Sequence, residues 1–204
     1  MLNQRYLINV RGCNGSGKST IPLSMMDDPH KYVVEKPYKG KQRKVLTVLP
    51  EWGWVVLGSY HNKCGGLDGY PDTDMVKKGL WYALKNYPEY NILMEGILPS
   101  TVYSTYEELF HKVQESYPER TVIVLNLIPP LEECLKRIQA RNGGKPIKED
   151  LVASKWATVA KNADKFSEAG IISLKWDNSQ IGPKYTKTPM AKLMMDFIKE
   201  ELDE

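Results

Sequence analysis

The chain has 204 residues, of which 42% are hydrophobic and 26% are charged, with a formal net charge of +3 from 28 basic and 25 acidic side chains. This length and composition suit one globular domain with a sizeable core, and so small a charge excess neither requires nor excludes a nucleic-acid partner. The three cysteines, Cys13, Cys64 and Cys134, are odd in number and lack metal-ligand spacing. A disulfide framework or zinc site is therefore not expected, and a reducing cytoplasm is the expected location. No window approaches the roughly 18 apolar residues of a membrane span.

Apolar runs and turn signals predict strands that alternate with helices along the chain. The strands are expected at residues 6–10, 32–35, 44–49, 54–60, 91–94, 121–127 and 171–175. The helices are expected at residues 18–26, 75–86, 103–117, 131–141, 149–169 and 189–202. Pro22 is tolerable in the first helix only because it lies in or near the first turn.

This alternation predicts an α/β fold with a mainly parallel sheet and helices on both faces. Residues 44–60 break the pattern, because two β-rich runs flank the turn signal Pro-Glu-Trp-Gly at residues 50–53. We expect this β-hairpin to be an insertion or a sheet extension near the substrate side. No linker-like stretch divides the chain, so residues 1–204 are read as one domain, with a small helical lid at about residues 137–148.

Residues 12–19 read Gly-Cys-Asn-Gly-Ser-Gly-Lys-Ser and match the phosphate-binding pattern G-x-x-x-x-G-K-[ST] in full. A strand precedes the motif and a helix begins within it, which is the arrangement that wraps backbone N–H groups around phosphate oxygens. In such loops the lysine reaches the β- and γ-phosphates and the final hydroxyl binds Mg²⁺. The nucleotide-binding residues are therefore expected to be Gly12, Asn14, Gly15, Ser16, Gly17, Lys18, Ser19 and Thr20, with ATP and Mg²⁺ as cofactors.

A phosphate-binding loop alone leaves kinases, GTPases and motor or switch ATPases open. GTPases carry an Asn-Lys-x-Asp motif, whereas here Asn-Lys at residues 62–63 is followed by Cys-Gly. Motor ATPases end a strand in Asp-Glu, whereas the comparable strand here ends in Glu95-Gly96. These departures count against the GTPase and motor ATPase classes, and the later half of the chain supports the kinase class.

Residues 122–141 resemble the strand, loop and lid helix of P-loop nucleotide kinases. In that family lid arginines fold over the triphosphate, and the matching positions are Arg137 and Arg141. They are four residues apart and share one helix face, where two guanidinium groups could neutralise charge on the transferring phosphoryl group. A solvated basic face is the alternative reading.

A kinase also needs a carboxylate to accept the proton of the acceptor hydroxyl. Asp68 lies in a glycine-rich loop that could approach a ligand closely, although Asp-Gly is also an ordinary turn dipeptide. Glu95 follows a buried strand, where nucleotide kinases place the carboxylate that holds Mg²⁺ through water, and it could alternatively be the base. Asp72 and Asp74 read as caps of the following helix.

Lys36, Lys39, Lys41, Arg43 and Lys44 precede the expected hairpin and could meet backbone phosphates. Aromatic residues crowd the middle of the chain, and exposed rings could stack on a base. The plainer reading makes these rings core and the lysines a solvated loop. The aromatic set is Trp52, Trp54, Tyr60, Tyr70, Trp81, Tyr103 and Tyr106.

A more specific resemblance is carried by residues 11–20, by Leu-Gly-Ser-Tyr at 57–60 and by Cys-Gly-Gly-Leu-Asp at 64–68. Together with the lid helix, these motifs resemble a group of bacteriophage P-loop kinases that includes the 5-hydroxymethyluracil DNA kinases. The resemblance implies ATP, Mg²⁺, double-stranded DNA containing a modified pyrimidine, and a phage origin. By position it makes Asp68 the base that takes the proton from the hydroxymethyl group.

The second hypothesis is a kinase of a free nucleotide, such as thymidylate. Thymidylate kinases usually carry an Asp-Arg pair after the second strand, whereas here Asp68 is followed by Gly69 and no arginine lies between Arg43 and Arg120. Lysine is a poorer bidentate clamp for a monophosphate than arginine. A nucleotide-dependent switch is the third hypothesis, although no recognisable switch motif is present. The oligomeric state is not predicted.

Overall fold

The computed structural model describes residues 4–60, 66–143, 145–181 and 188–202. Seven strands form one sheet: β1 Arg5–Arg11, β2 Tyr32–Tyr38, β3 Lys41–Leu49, β4 Trp54–Leu57, β5 Asn91–Glu95, β6 Arg120–Leu127 and β7 Ile172–Trp176. The helices are α1 Thr20–Leu23, α2 Thr73–Asn86, α3 Ile97–Thr101, α4 Ser104–Ser116, α5 Leu131–Asn142, α6 Glu149–Glu168 and α7 Met190–Glu201, with a short 3₁₀ helix at Gly66–Gly69.

The strand order is β2-β3-β4-β5-β1-β6-β7. Strands β4, β5, β1, β6 and β7 pair in parallel, while β2 and β3 add two antiparallel strands at one edge. The prediction of a mainly parallel α/β sheet is therefore confirmed. The expected hairpin at residues 44–60 corresponds to β3 and β4 and extends this sheet. The carboxyl ends of β1 and β5 lie side by side, which is where ligands of such sheets bind.

Alternate residues of the central strands belong to different cores. In β1, Leu7 packs with the cluster that includes residues of α2 and α4, whereas Ile8 and Val10 pack with residues of α1 and α7. In β6, Val124 and Leu125 divide in the same way. This two-residue period buries both faces of the sheet under helices.

Two helical segments of the structure differ from the prediction. The helix expected at residues 18–26 is confined to Thr20–Leu23, after which Met25 N and Met26 N bond to the carbonyls three residues earlier, at 3.0 and 3.2 Å. Such tight turns replace the α-helical pattern where a segment is short. The short helix α3 was not predicted, because Ile97–Thr101 directly follows a strand and contains a proline.

The basic segment ahead of the expected hairpin is itself a hairpin. Strands β2 and β3 pair from Tyr32↔Val48 to Tyr38↔Lys41, so all of the basic residues except Lys39 lie on strands. Lys39 and Gly40 form the turn, with φ of 48° and 73°. Left-handed conformations at both turn residues match the twist of the flanking strands. A register shift between Val34 and Glu35 marks a β-bulge.

None of the helices in the described part of the chain has the length and apolarity needed to cross a bilayer.

Asp72 joins the hairpin to α2. Its Oδ1 accepts the N–H of Met75 at 2.9 Å, which caps the helix, and also accepts the hydroxyl of Tyr38 at 2.6 Å. Its Oδ2 pairs with Lys39 Nζ at 2.7 Å. The hydrogen bonds from Lys39, Tyr38 and Met75 hold the pKa of Asp72 below its ordinary range. The predicted capping role of Asp72 is confirmed, and its charge is also used to hold the hairpin.

We expect Asp72→Ala to lower the thermal midpoint at pH 7 by about 2–4 °C, a typical effect of losing one helix cap in a chain of this length. Because the pKa of Asp72 is depressed in the folded state, its charge stabilises the fold at pH values above the ordinary carboxyl pKa. This stabilisation is lost as the pH falls through the pKa of the folded state. Thermal unfolding between pH 7 and pH 2 should therefore show a nearly constant gap to the wild type down to about pH 4 and a narrowing gap below it. The control is Asp196→Ala, at an exposed position on α7. A gap independent of pH would contradict the assignment.

Candidate active site

The loop at residues 12–19 joins β1 to α1 and has no room for side chains at its glycines. Gly15 and Gly17 have φ of +80° and +94°, which favour glycine. A Cβ on Gly15 would lie 2.3 Å from the carbonyl oxygen of Cys134 in α5, and a Cβ on Gly12 would lie 2.3 Å from Ser16 Oγ. The loop therefore depends on glycine both for its backbone turn and for its contact with α5.

Lys18, Ser19 and Glu95 meet where β1 and β5 end. Ser19 Oγ donates to Glu95 Oε2 at 3.3 Å, and Lys18 Nζ donates to the carbonyl of Cys13 at 3.1 Å. Burial lowers the pKa of Lys18, and the charge of Glu95 opposes that shift. Burial likewise raises the pKa of Glu95, with Lys18 opposing. The two groups thus stabilise each other's charged form in a site closed to solvent.

Tyr60 is the second partner of Glu95, and the sequence named it as one of several aromatic residues and as the end of the Leu-Gly-Ser-Tyr motif without assigning it this role. Its hydroxyl donates to Glu95 Oε1 at 2.9 Å, so both carboxylate oxygens accept a hydrogen bond. Burial and the nearby charge of Glu95 raise the pKa of Tyr60 well above its ordinary value. Tyr60 therefore remains a hydrogen-bond donor at neutral pH and orients the carboxylate.

Asp68 lies in the 3₁₀ helix next to this carboxylate. Its side chain is exposed, and its Oδ1 lies 3.1 Å from where a Cβ of Gly96 would stand. The charge of Asp68 acts on both Lys18 and Glu95. Two carboxylates thus stand together at the end of β5, one buried and one open to solvent. Residues 64 and 65 of the predicted Cys-Gly-Gly-x-Asp motif lie outside the described residues.

Close glycine packing holds the 3₁₀ helix in position. Gly58 and Gly66 have φ of +93° and +61°, and a Cβ on Gly58 would lie 2.2 Å from the carbonyl oxygen of Gly66. A Cβ on Gly66 would lie 2.4 Å from Glu95 Oε1. Only glycines allow the end of β4, the Asp68 segment and the end of β5 to approach so closely.

The two predicted lid arginines differ in position. Arg137 Nη1 donates to the carbonyl of Ser16 at 3.4 Å, and Arg137 Nε pairs with Glu133 at 2.9 Å. Arg137 is therefore brought to the phosphate-binding loop. Arg141 is exposed in the last turn of α5, and no hydrogen bond or ion pair is recorded between it and the other described residues.

Asn178, in the segment after β7, was missed by sequence reasoning. Its buried side chain donates to the carbonyl of Ser16 at 2.9 Å and accepts from Arg137 Nη1 at 3.3 Å. Arg137 Nη2 also donates to the carbonyl of Asn178 at 3.3 Å. The only signal in the sequence is its place just beyond a strand that ends at the same edge of the sheet.

The start of the loop is supported by α3 and by a buried arginine. The N–H of Gly12 donates to Ser100 Oγ at 3.2 Å. Arg11 is fully buried, donates to the carbonyl of Val102 at 2.7 Å and lies 4.6 Å from the ring centroid of Phe166. Burial lowers the pKa of Arg11 to about 9. These contacts fix the point at which the chain leaves β1.

Cys13 and Cys134 are free, buried thiols whose sulfur atoms are 3.5 Å apart. They belong to a small core in which Ile138 and Val152 join the loop to α5 and α6. The third cysteine, Cys64, lies outside the described residues. No cluster of three or more metal-ligating His, Cys, Asp or Glu side chains occurs in the described ranges.

We expect Gly15→Ala to weaken ATP binding by tenfold or more, because its Cβ would push α5 away from the loop. Gly143→Ala is the matched control, since Gly143 also has a positive φ, +61°, but no atom within 4 Å of the added Cβ. In both variants an alanine must adopt a positive φ, which costs about 1 kcal/mol of folding free energy. Only Gly15→Ala adds a steric clash. Calorimetric titration with ATP measures the difference. Equal affinities in the two variants would contradict the proposed packing.

Sequence comparisons agree with these features. The family described as "5-hmdU DNA kinase" matches residues 3–170. A "5-hmdU DNA kinase" of Bacillus phage SP10 is 44% identical over 182 residues, which cover 86% of this chain and 27% of that one. "5-hmdU DNA kinase 1" of Salmonella phage ViI is 38% identical over 162 residues, covering 78% of this chain and 70% of that one.

A "5-hmdU DNA kinase" of Pseudomonas phage M6 is 36% identical over 180 residues, covering 84% of this chain and 92% of that one. The chain thus spans about a quarter of the SP10 protein but most of the ViI and M6 proteins. With most of its length matched by the family and by relatives of similar size, this chain belongs to the 5-hmdU DNA kinase family.

Proposed function

We propose that this chain transfers the γ-phosphoryl group of ATP to the hydroxymethyl group of 5-hydroxymethyluracil in DNA. The observation that carries the proposal is the exposed carboxylate of Asp68, which lies beside the buried Lys18–Glu95 pair at the phosphate-binding loop. Membership of a family whose relatives are named as 5-hmdU DNA kinases supports the acceptor.

The phosphate-binding loop would hold the triphosphate through its backbone N–H groups and Lys18. The glycines leave those N–H groups without a covering side chain, and Asn178 holds the carbonyl of Ser16 through a hydrogen bond of 2.9 Å. Gly12, Asn14, Gly15, Ser16, Gly17, Lys18, Ser19 and Thr20 are the residues we assign to ATP.

The Ser19 hydroxyl and the Glu95 carboxylate fit a Mg²⁺ site. Their oxygens are 3.3 Å apart at the end of β5, and Mg²⁺ in kinases binds through few protein oxygens, keeping waters and phosphate oxygens as its other ligands. A large cluster of protein carboxylates is not needed for such a site. When bound, Mg²⁺ would neutralise negative charge on the β- and γ-phosphates.

Asp68 would be the general base. It would accept the proton of the hydroxymethyl O–H while that oxygen forms a bond to the γ-phosphorus, and the bond from the γ-phosphorus to the β–γ bridging oxygen would break to release ADP. Asp68 suits this role because its side chain is exposed and can meet an incoming base, whereas Glu95 is buried against Ser19 and Tyr60.

Arg137 would neutralise charge on the transferring phosphoryl group. Glu133 and Asn178 hold its guanidinium in place, which reduces the entropy lost on binding phosphate. Arg141, one turn further along α5, would act only if the lid moves over the triphosphate.

The function is tested with γ-labelled ATP and three acceptors: thymidylate, free hydroxymethyl-deoxyuridylate, and duplex DNA containing hydroxymethyluracil. We expect label in the DNA alone, and none with Lys18→Ala, because that variant loses the cation at the β- and γ-phosphates. Label only in a free nucleotide would replace the proposal with the free-nucleotide kinase. Full activity in folded Lys18→Ala would contradict the phosphoryl-transfer site itself.

We expect Asp68→Asn to lower kcat by about 10²–10⁴-fold, the usual contribution of a positioned base, with the KM for ATP nearly unchanged. Glu95→Gln should instead raise the Mg²⁺ concentration needed for half-maximal rate, because it removes a charged oxygen from the metal site. Steady-state kinetics at several Mg²⁺ concentrations separate the two roles.

Asp196→Asn is the matched control, because it removes an exposed carboxylate on α7 that has no recorded partner among the described residues. It should leave kcat and the Mg²⁺ dependence at wild-type values. If Asp68→Asn shifted the Mg²⁺ dependence and Glu95→Gln did not, the two assignments would be exchanged.

A further inference from the structure

The hairpin of β2 and β3 extends past the edge of the sheet where the active site lies. The last residue of β4, Leu57, pairs with Leu46, so residues 41–45 of β3 continue beyond the carboxyl ends of the parallel strands. At about 3.4 Å per residue, this extension is roughly 17 Å long. The tip of the hairpin therefore lies beyond the carboxyl ends of the parallel strands, the end of the sheet at which the phosphate-binding loop and Glu95 also lie.

Three cations share one face of this extension. Lys36 pairs with Arg43, and Tyr38 pairs with Lys41. Paired residues of antiparallel strands project from the same face, as do residues two apart on one strand. Lys36, Arg43 and Lys41 are therefore neighbours, and like charges opposite each other disfavour the hairpin unless an anion lies between them.

These three cations lack the acidic partners that their neighbours have. Lys39 pairs with Asp72 at 2.7 Å, and Lys78 pairs with Asp74 at 2.9 Å. No salt bridge of Lys36, Lys41 or Arg43 occurs among the described residues, and Arg43 Nε is a buried donor without a recorded partner there. The face therefore carries positive charge that the described part of the chain does not neutralise.

A cavity of about 170 Å³ opens between this face and α2. Lys36, Tyr38, Lys78 and Tyr82 line it, and Lys36 Nζ lies 4.2 Å from the ring centroid of Tyr82. Aromatic walls beside lysines suit a sugar-phosphate chain, because the rings pack against the sugar while the ammonium groups meet the phosphate.

The hairpin is connected to the segment that carries Asp68. The Tyr70 hydroxyl donates to the carbonyl of Val45, which lies at the bulge. Tyr70 N also bonds to the carbonyl of Leu67 at 3.0 Å, within the 3₁₀ helix. An anion held by the hairpin would therefore be positioned relative to Asp68 through two hydrogen bonds.

We propose that Lys36, Lys41 and Arg43 form a binding site for the phosphodiester backbone of DNA next to the base that is phosphorylated. The proposal rests on the proposed function and adds where the polymer lies. The site contacts phosphates and carries no base readout, so it binds modified and unmodified duplexes alike. It holds the strand while the target base enters the space beside Asp68.

The test compares Lys41→Gln/Arg43→Gln with Lys85→Gln/Lys199→Gln, a control that removes two positive charges from exposed positions in the last turns of α2 and α7. Fluorescence anisotropy of a labelled duplex, with and without hydroxymethyluracil, gives the affinity between 50 and 300 mM salt. Loss of two phosphate contacts reduces the slope of log K against log salt by about 1.8 and weakens binding on the order of tenfold. The control should retain the wild-type slope, and both variants should retain the wild-type KM for ATP.

The proposal would be overturned if Lys41→Gln/Arg43→Gln kept the wild-type affinity for DNA and the wild-type salt slope. It would also be overturned if this variant lost affinity for a free nucleotide but not for DNA. If the double variant unfolds, Lys41→Gln alone, at an exposed position, should reduce the slope by about 0.9. Failure of the proposed function is a separate result, since it appears in the wild type as the absence of label in DNA.

Discussion

The carboxylate of Glu95 is the point on which the rest of the site depends. It accepts hydrogen bonds from Ser19, which follows β1, and from Tyr60, which follows β4, and it is buried beside Lys18. A buried lone carboxylate or ammonium is costly, so each of the two charges requires the other. Two strand ends and the phosphate-binding loop are thereby held at fixed distances, and the segment with Asp68 packs on that frame through Gly66.

Most of the fold could be predicted from the sequence, because its periods are strong. The apolar runs of β1, β5 and β6 alternate between two cores, and the helices between them end at clear turn signals. The loop at residues 12–19 was also predictable, since its pattern requires glycine for a geometric reason at Gly12 and Gly17, whereas the close approach of Gly15 to α5 is visible only in the structure. Strand and helix ends differed mainly by one to three residues, a common error for local signals.

What could not be predicted depends on contacts between distant parts of the chain. Asn178 bonds to Ser16 across 162 residues, and Ser100 supports Gly12 across 88. No local pattern distinguishes such an asparagine or serine from an ordinary loop residue. The β2–β3 hairpin was missed because polar residues fill its strands, and the pairing that makes Lys36 and Arg43 neighbours becomes visible only with the register. The Arg137 contacts likewise required the position of the segment after β7.

The position of β2 at the outer edge of the sheet has a consequence for solubility. An edge strand presents unpaired backbone groups that can recruit another chain, and Tyr32 and Val33 are exposed there, at 46% and 40%. Pro37 and the charge of Lys36 lie on the same strand, the bulge at Val45 lies on the neighbouring strand, and each disfavours edge-to-edge pairing. The charged hairpin thus protects the sheet from self-association, so substitutions that neutralise β2 act on aggregation as well as on ligand binding.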